Sequence, residues 1–525
     1  MKTAVNYRKY LWVLIGVSVL IRGMLAAVLE LGNDEVYYRL YALYPDWSHF
    51  DHPLMVGLVM QIFSFNLFFD SEFFLRLSSL IFGAINLWIV FDIGKLIRNE
   101  RTGFYAALLY TASIYAFVIT GIFILPDTSQ SLFWLLALRQ MLRTLHFCPH
   151  QSKSGIRMMG LGFLLGLGML SKYTTIFLWF GIILYILFFN REWLRSKWLY
   201  LSIFISFLIT LPILIWNMQN GFVSFGFQGE RVNIFATGFN INYFLTELGG
   251  GFFYNNPVNF VLIMIAVFAA FKGKLKINRA YSQIILLTTL PLIFSFLFFS
   301  LFRSTLPHWC APGYTSLVLL AAVWLDQKKE VSKFMTFVPL SLALSLLTLV
   351  LVLGFVQIRW SPFKIDHSTN YHDLGKHDPS LDLTGFHQTG EKFAKIVQRD
   401  QLNGTMPDDA ILTGNNWFPL ANYDYYAASP IGMKVYGIGS LDHIHKYAWI
   451  NQQNCGFNLG MDAYYITDSR DYRSPFGVFE DYFETVESAD TIQIYTGNKV
   501  VKRAFVFRLK NLQKIPDDPF GFGLK

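Results

Sequence analysis

The sequence predicts a polytopic α-helical membrane protein of about eleven transmembrane helices, followed by a small extracytoplasmic α/β domain. Three observations lead there. Of the 525 residues, 54% are apolar and only 15% charged, against about a quarter charged in ordinary soluble chains. The apolar residues come in runs between short polar clusters over residues 11–356, and soluble composition begins at Gln357. That break sets two domains, 1–356 and 357–525. Lys and Arg gather in alternate loops, as they do in loops that stay in the cytoplasm.

A span needs about 20 apolar residues. The runs that qualify cover roughly 11–30, 73–94, 102–124, 128–147, 199–217, 258–271, 282–302, 310–325 and 334–356. The N-terminus (Lys2, Arg8, Lys9, then an apolar run) resembles a signal peptide without a small-residue cleavage site, so the first span is expected to be retained. With that end in the cytoplasm, the inner loops collect twenty Lys and Arg. The outer segments hold only Arg39, Lys172, Arg231 and Arg303. The stretch 158–190 is too long for one span. Arg157 and Arg191 both belong inside, so it must go out and return as two short helices with Lys172 at the outer turn. The tail then lies outside, and runs at 410–413, 433–437, 463–467 and 491–495 read as short strands with helical segments between them.

The formal charge of +8 does not mark a nucleic-acid binder, because its basic residues are dispersed among the inner loops. The three cysteines, Cys148, Cys310 and Cys455, have no ligand spacing and read as unpaired thiols.

Acids are distributed the opposite way. The first outer loop reads GNDEVYYRLYALYPDWSHFDHP from Gly32 to Pro53. Its aromatics suit a membrane-interface belt. Asp34 and Glu35 do not, since an ionised pair at the end of a span is costly unless it is partnered or used. Cations occur on the same side: Arg76 in FFLRLSS, Lys172 at the hairpin turn and His308 in LPHW. Each has a plain structural explanation, a pair with Glu72, a turn cap and an interfacial hydrogen bond. Together, basic groups beside acids at a membrane surface suit an anionic headgroup such as a lipid phosphate, with a carboxylate available as base or metal ligand.

On these residues the sequence resembles the bacterial membrane glycosyltransferases of family 39, relatives of protein O-mannosyltransferases and of the lipid A aminoarabinose transferase, with the GT-C fold. The matching segments, in order, are DEVYYRLYA at 34–42, FDHP at 50–53, FLRLSS at 74–79, LPD at 125–127, GLGMLSKYT at 166–174 and LPHWCAPGY at 306–314. A weaker likeness, NYDYYAAS, lies at 422–429. Many members carry a second proline where this chain has Leu54. The resemblance implies a multi-pass protein of the bacterial inner membrane with its C-terminal domain in the periplasm. It also implies inverting transfer of a hexosyl or pentosyl group from a polyprenyl-phosphate donor to an extracytoplasmic acceptor: protein, lipid A or another glycan. Asp34 matches the family's catalytic base, with Glu35 beside it and Asp127 a second outer-loop acid. Arg76 and Lys172 match donor-phosphate contacts, and His52 takes a basic position beside them. Asp51 falls where relatives have an acidic metal ligand; His308 and Glu247 are the candidate partners for a divalent metal ion there, and a metal-bound and a metal-free site both stay open.

Two other readings compete. An oligosaccharide-lipid transferase or ligase would keep the fold and enlarge the donor; the short first loop favours a single sugar. A lipid or sugar transporter would show internal repeats and broken helices near the midplane, whereas this chain sets its polar groups at one surface.

Overall fold

The computed structural model describes residues 5–149, 152–234, 238–368 and 370–520; Lys2 lies outside them. The chain divides into two compact units, Met1–Ala27 with Pro45–Leu349, and Val28–Tyr44 with Val350–Lys525.

In chain order the helices are α1 (Tyr7–Val28), α2 (Asn33–Leu43), α3 (Met55–Phe63), α4 (Leu77–Ile97), α5 (Glu100–Ala112), α6 (Pro126–Leu142), α7 (Ser152–Ser171), α8 (Ile176–Phe189) and α9 (Lys197–Gln219). They continue as α10 (Val223–Val232), α11 (Ile241–Tyr254), α12 (Pro257–Phe271), α13 (Arg279–Phe299), α14 (Ala311–Lys329) and α15 (Phe334–Trp360). Except for α2, these helices form the first unit up to Leu349. Among the described residues six are long and apolar enough to cross a membrane, or seven if the α11–α12 pair, bent by 101°, is one span. Each of the eleven expected spans overlaps a helix, but several helices are shorter than the run suggested. The run 102–124, for example, is α5 followed by a π-turn at Tyr115–Ile119. The helix stops at Ser113, whose extended backbone (ψ 125) ends the α-helical ladder.

Helices meet closely where glycine removes the side chain. A Cβ at Gly94 on α4 would stand 2.6 Å from the Cα of Gly103 on α5. Gly155, Gly162 and Gly166 give α7 one bare stripe, which takes Trp198, Ser202 and Ile209 of α9. Inner-loop charges are also used in packing. Arg98 (2.6 Å) and Arg101 converge on the buried Asp326 of α14, and Arg139 pairs with Asp92 at 2.6 Å. The stretch 158–190 is two helices, as expected, and Lys172 sits at the break before the short 3-10 turn Tyr173–Thr175.

The second unit is an α/β fold. Its strands are β1 (Ile411–Gly414), β2 (Val435–Gly437), β3 (Ala463–Asp468), β4 (Phe483–Thr496) and β5 (Lys499–Leu512), in the order β2-β1-β3-β5-β4. β1 runs parallel to both β2 and β3; β5 is antiparallel to β3 and β4. Gly497, at φ +60, opens the two-residue turn between β4 and β5, the conformation that a tight hairpin requires. A core of Tyr465, Phe479, Phe483, Phe505, Phe507 and their neighbours covers the sheet. Helix α16 (Phe386–Leu402) buries Phe386, Thr389, Phe393, Ile396 and Val397, the spacing of one helical face. Its free N-terminal amides are capped by Glu30, whose carboxylate accepts from Phe386 N–H at 2.8 Å and His387 N–H at 3.2 Å.

Residues 28–44 precede the composition break by more than 300 positions and nevertheless pack in this unit. The Leu31 N–H donates to the Tyr426 hydroxyl at 2.6 Å, and α2 lies against α17 (Trp417–Tyr423).

Candidate functional site

In the first unit, Asp127 and Lys172 form the centre. Pro126, which has no N–H to leave unsatisfied, starts α6 and places Asp127 in the first helical turn. Lys172 occupies the α7–α8 break. Its ammonium donates to Asp127 Oδ2 at 2.7 Å, and the hydroxyl of Tyr115, in the π-turn, donates to Oδ1 at 2.9 Å. Asp127 is 2% and Lys172 4% exposed, so the pair is held out of water. An ion pair in such a setting persists only with good geometry and further hydrogen bonds, and Tyr115 supplies one.

Two histidines stand around the pair. His52 is within electrostatic reach of Asp51, Lys172, Arg231 and Asp127. His308 is within reach of Asp127 and Lys172. Burial pushes each imidazole down to about 4, against the pull of the nearby carboxylates. Both rings are therefore neutral at pH 7, and a neutral imidazole can donate from one nitrogen and accept at the other. His52 is set by a tight turn in which His49 N–H donates to its carbonyl at 3.2 Å, and Gln228 of α10 donates to the Asp51 carbonyl.

A cavity of about 260 Å³ adjoins the pair. His52, Lys172 and Arg231 line its polar side; Phe177, Phe296 and Phe299 belong to its apolar side. Arg231 is held between rings, its guanidinium carbon 4.2 Å from the Phe227 centroid and 5.6 Å from that of Trp309. Such an arrangement takes an anionic group joined to an apolar body.

The other expected residues are placed as follows. Arg76 is fully buried, donates to the Ala26 carbonyl at 3.1 Å and lies 5.5 Å from the Phe123 ring; it does not line the cavity. Asp51 is buried. No group of three or more His, Cys, Asp and Glu able to hold a metal ion occurs among the described residues. Glu247 instead accepts from Thr305 Oγ1 at 2.7 Å and from the Cys310 thiol at 3.2 Å. In the second unit, Glu35 is buried and its carboxylate accepts from Gly32 N–H at 2.8 Å, which caps its own helix. Asp34, one residue earlier, is exposed.

Sequence reasoning passed over Arg231, although it was one of the four outer cations in the charge count. It also passed over Arg22, hidden in the first apolar run. Arg22 is fully buried, donates from Nη2 to the Ala116 carbonyl of the π-turn at 3.2 Å and stacks 4.4 Å from Phe117. Gly83 and Gly121 make room for it: a Cβ there would come within 2.5 Å and 2.7 Å of the guanidinium. A buried charge inside a span is costly and marks a built feature. Here it fixes the turn that aims Tyr115 at Asp127.

Residues 51–216 match the family described as dolichyl-phosphate-mannose-protein mannosyltransferase. That segment holds His52, Arg76, Asp127 and Lys172. Among solved structures, ArnT from Cupriavidus metallidurans in the apo state has a TM-score of 0.64 and 14% identity, over 95% of this chain and 98% of that one. The same protein bound to undecaprenyl phosphate gives 0.62 and 15%, with the same coverage. At these identities the likeness is one of fold. No curated protein matches the chain.

Proposed function

We propose that this chain, which folds as a GT-C membrane glycosyltransferase and carries mannosyltransferase-family sequence over residues 51–216, moves one sugar from a polyprenyl-phosphate donor to an extracytoplasmic acceptor. The observation that carries this reading is the cavity beside the Asp127–Lys172 pair. Two cations and a neutral imidazole face apolar walls in it, the chemistry of a phosphate on a hydrocarbon chain. Lys172 and Arg231 would hold the phosphate and take up charge as it leaves. His52 would donate a neutral hydrogen bond. Asp127 keeps Lys172 aimed.

Asp34 is the proposed base. The acceptor oxygen attacks the anomeric carbon and gives its proton to the Asp34 carboxylate. The bond from that carbon to the phosphate oxygen breaks, and its electron pair leaves with the polyprenyl phosphate, which inverts the centre. The acceptor would be a protein, lipid A or another glycan, and the enzyme would work in a bacterial inner membrane with the N-terminus cytoplasmic and the second unit periplasmic.

The first test is mass spectrometry of glycans and glycolipids in a deletion strain, with the missing product as the readout. Asp34→Asn should fail to restore that product, with turnover lowered about 10²- to 10⁴-fold, the usual contribution of a general base. Product at the wild-type level would remove Asp34 as the base. Arg231→Gln should weaken undecaprenyl-phosphate binding by the purified protein about 10- to 100-fold, the worth of a charge-assisted hydrogen bond. Unchanged affinity would take Arg231 out of the phosphate site.

A further inference from the structure

The second unit holds α2 where an open parallel sheet ordinarily holds a ligand. Such sheets bind ligands outside the carboxyl ends of their strands. β1 and β2 are parallel and end at Gly414 and Gly437. The segments that follow carry Trp417 and His445, whose rings stack at 5.5 Å with an interplanar angle of 21°. The occupant of this platform is Tyr37 of α2, 4.9 Å from Trp417 and 5.8 Å from His445. Residues 35–42 of α2 are all buried, whereas a helix lying on a surface buries one stripe. A second hold lies further along the helix, where the Arg39 guanidinium rests 4.8 Å from the Tyr425 ring.

His445 adopts φ +49 and ψ −123, a conformation that is strained for a non-glycine residue and persists only where its surroundings enforce it. That strain falls at the contact with Tyr37. Asp34 and Tyr37 are three residues apart, so they share one face of the helix. Fixing the Tyr37 ring therefore fixes the rotation of α2 about its axis, and with it the direction of the exposed Asp34 carboxylate.

We propose that Trp417 and His445 are positioning residues for the transfer step, and that the carboxyl edge of β1 and β2 serves as the seat of the base-bearing helix. The inference rests on the reading of Asp34 as the base. A misplacement of about 1 Å can cost roughly 100-fold in rate, so small losses of this seating are amplified.

The test uses the full chain in the deletion strain and, after purification, in detergent. His445→Gly removes the ring and suits the positive φ, so thermal stability should hold or rise while product falls about 10- to 100-fold. Trp417→Leu should lower product to a similar extent, and Trp417→Phe should restore most of it. Undecaprenyl-phosphate binding, used as the probe of the first unit, should be unchanged in all three. Wild-type product from His445→Gly and Trp417→Leu would overturn the proposal, as would product that falls only in proportion to lost thermal stability. Asp34→Asn run in parallel separates the two readings. If it keeps full product, the base assignment fails; if it loses product while His445→Gly keeps it, only the positioning role fails.

Discussion

Lys172→Met should cost the first unit about 3–5 kcal/mol of stability, because it leaves the Asp127 carboxylate buried without its cation. Asp127→Asn should cost a similar amount for the mirrored reason, a buried ammonium with no anion. The double variant should recover most of the loss. Its carboxamide oxygen can still accept from the Tyr115 hydroxyl, which lies 2.9 Å from Asp127 Oδ1 in the native protein, and no unpaired charge remains. Function should not recover with it. With Lys172 gone, the double variant should bind undecaprenyl phosphate about 10- to 100-fold more weakly than wild type, on the scale of a lost charged hydrogen bond. Thermal unfolding in detergent and lipid binding thus separate the anchoring of Asp127 by this lysine from the donor contact proposed for it. A double variant whose loss equals the sum of the two single losses would mean that the pair is not coupled. A stable double variant with native lipid affinity would keep the anchor and discard the phosphate contact.

Half of that pair was legible from length and charge alone. A stretch of 33 residues between two inner-loop arginines has to turn back, and the only cation within it has to sit near the turn. Its partner was not legible, because 45 residues of helix and loop separate Asp127 from Lys172 and no local rule spans that distance. The acid pair at 34–35 shows the opposite limit. Both residues look chemical in sequence, but Glu35 turns back on Gly32 as a helix cap, and capping boxes use glutamate for just this purpose. The assignment of residues 28–44 to the second unit could not come from composition, since their aromatics suit an interface belt equally well. Strand β5 escaped notice because Lys499, Lys502, Arg503, Arg508 and Lys510 interrupt its apolar face. Three of those cations are paired: Arg508 with Asp400, Lys502 with Asp468 at 3.5 Å and Lys510 with Glu487 at 3.2 Å.

Arg508→Leu should destabilise the second unit by about 1.5–3 kcal/mol at neutral pH, the worth of lost hydrogen bonds to a charged group. Asp400 of α16 is buried, and Arg508 grips it with two hydrogen bonds, Nε at 2.7 Å and Nη2 at 2.8 Å. Tyr464 and Arg399 add bonds at 3.2 Å each. Burial pushes the Asp400 carboxyl up, but the hydrogen bonds and charge of Arg508 outweigh it, and its pKa lies below the usual value near 3.8. A carboxylate depressed in this way lends stability above its unfolded pKa and loses it as pH falls through the folded value. The wild type should therefore lose part of its stability below about pH 4. The variant lacks the share that Arg508 contributes, and protonation of an Asp400 left with Arg399 and Tyr464 alone relieves a penalty. The gap in thermal stability between the two should narrow steadily as pH falls below about 4, and a gap that stays constant with pH would show that the pair is not what holds α16. The consequence should reach α2. Gly390 of α16 packs directly on the carbonyl of Tyr426, whose hydroxyl takes the Leu31 N–H just ahead of α2. A loosened α16 should therefore lower product in cells as well as stability, whereas His445→Gly should lower product alone.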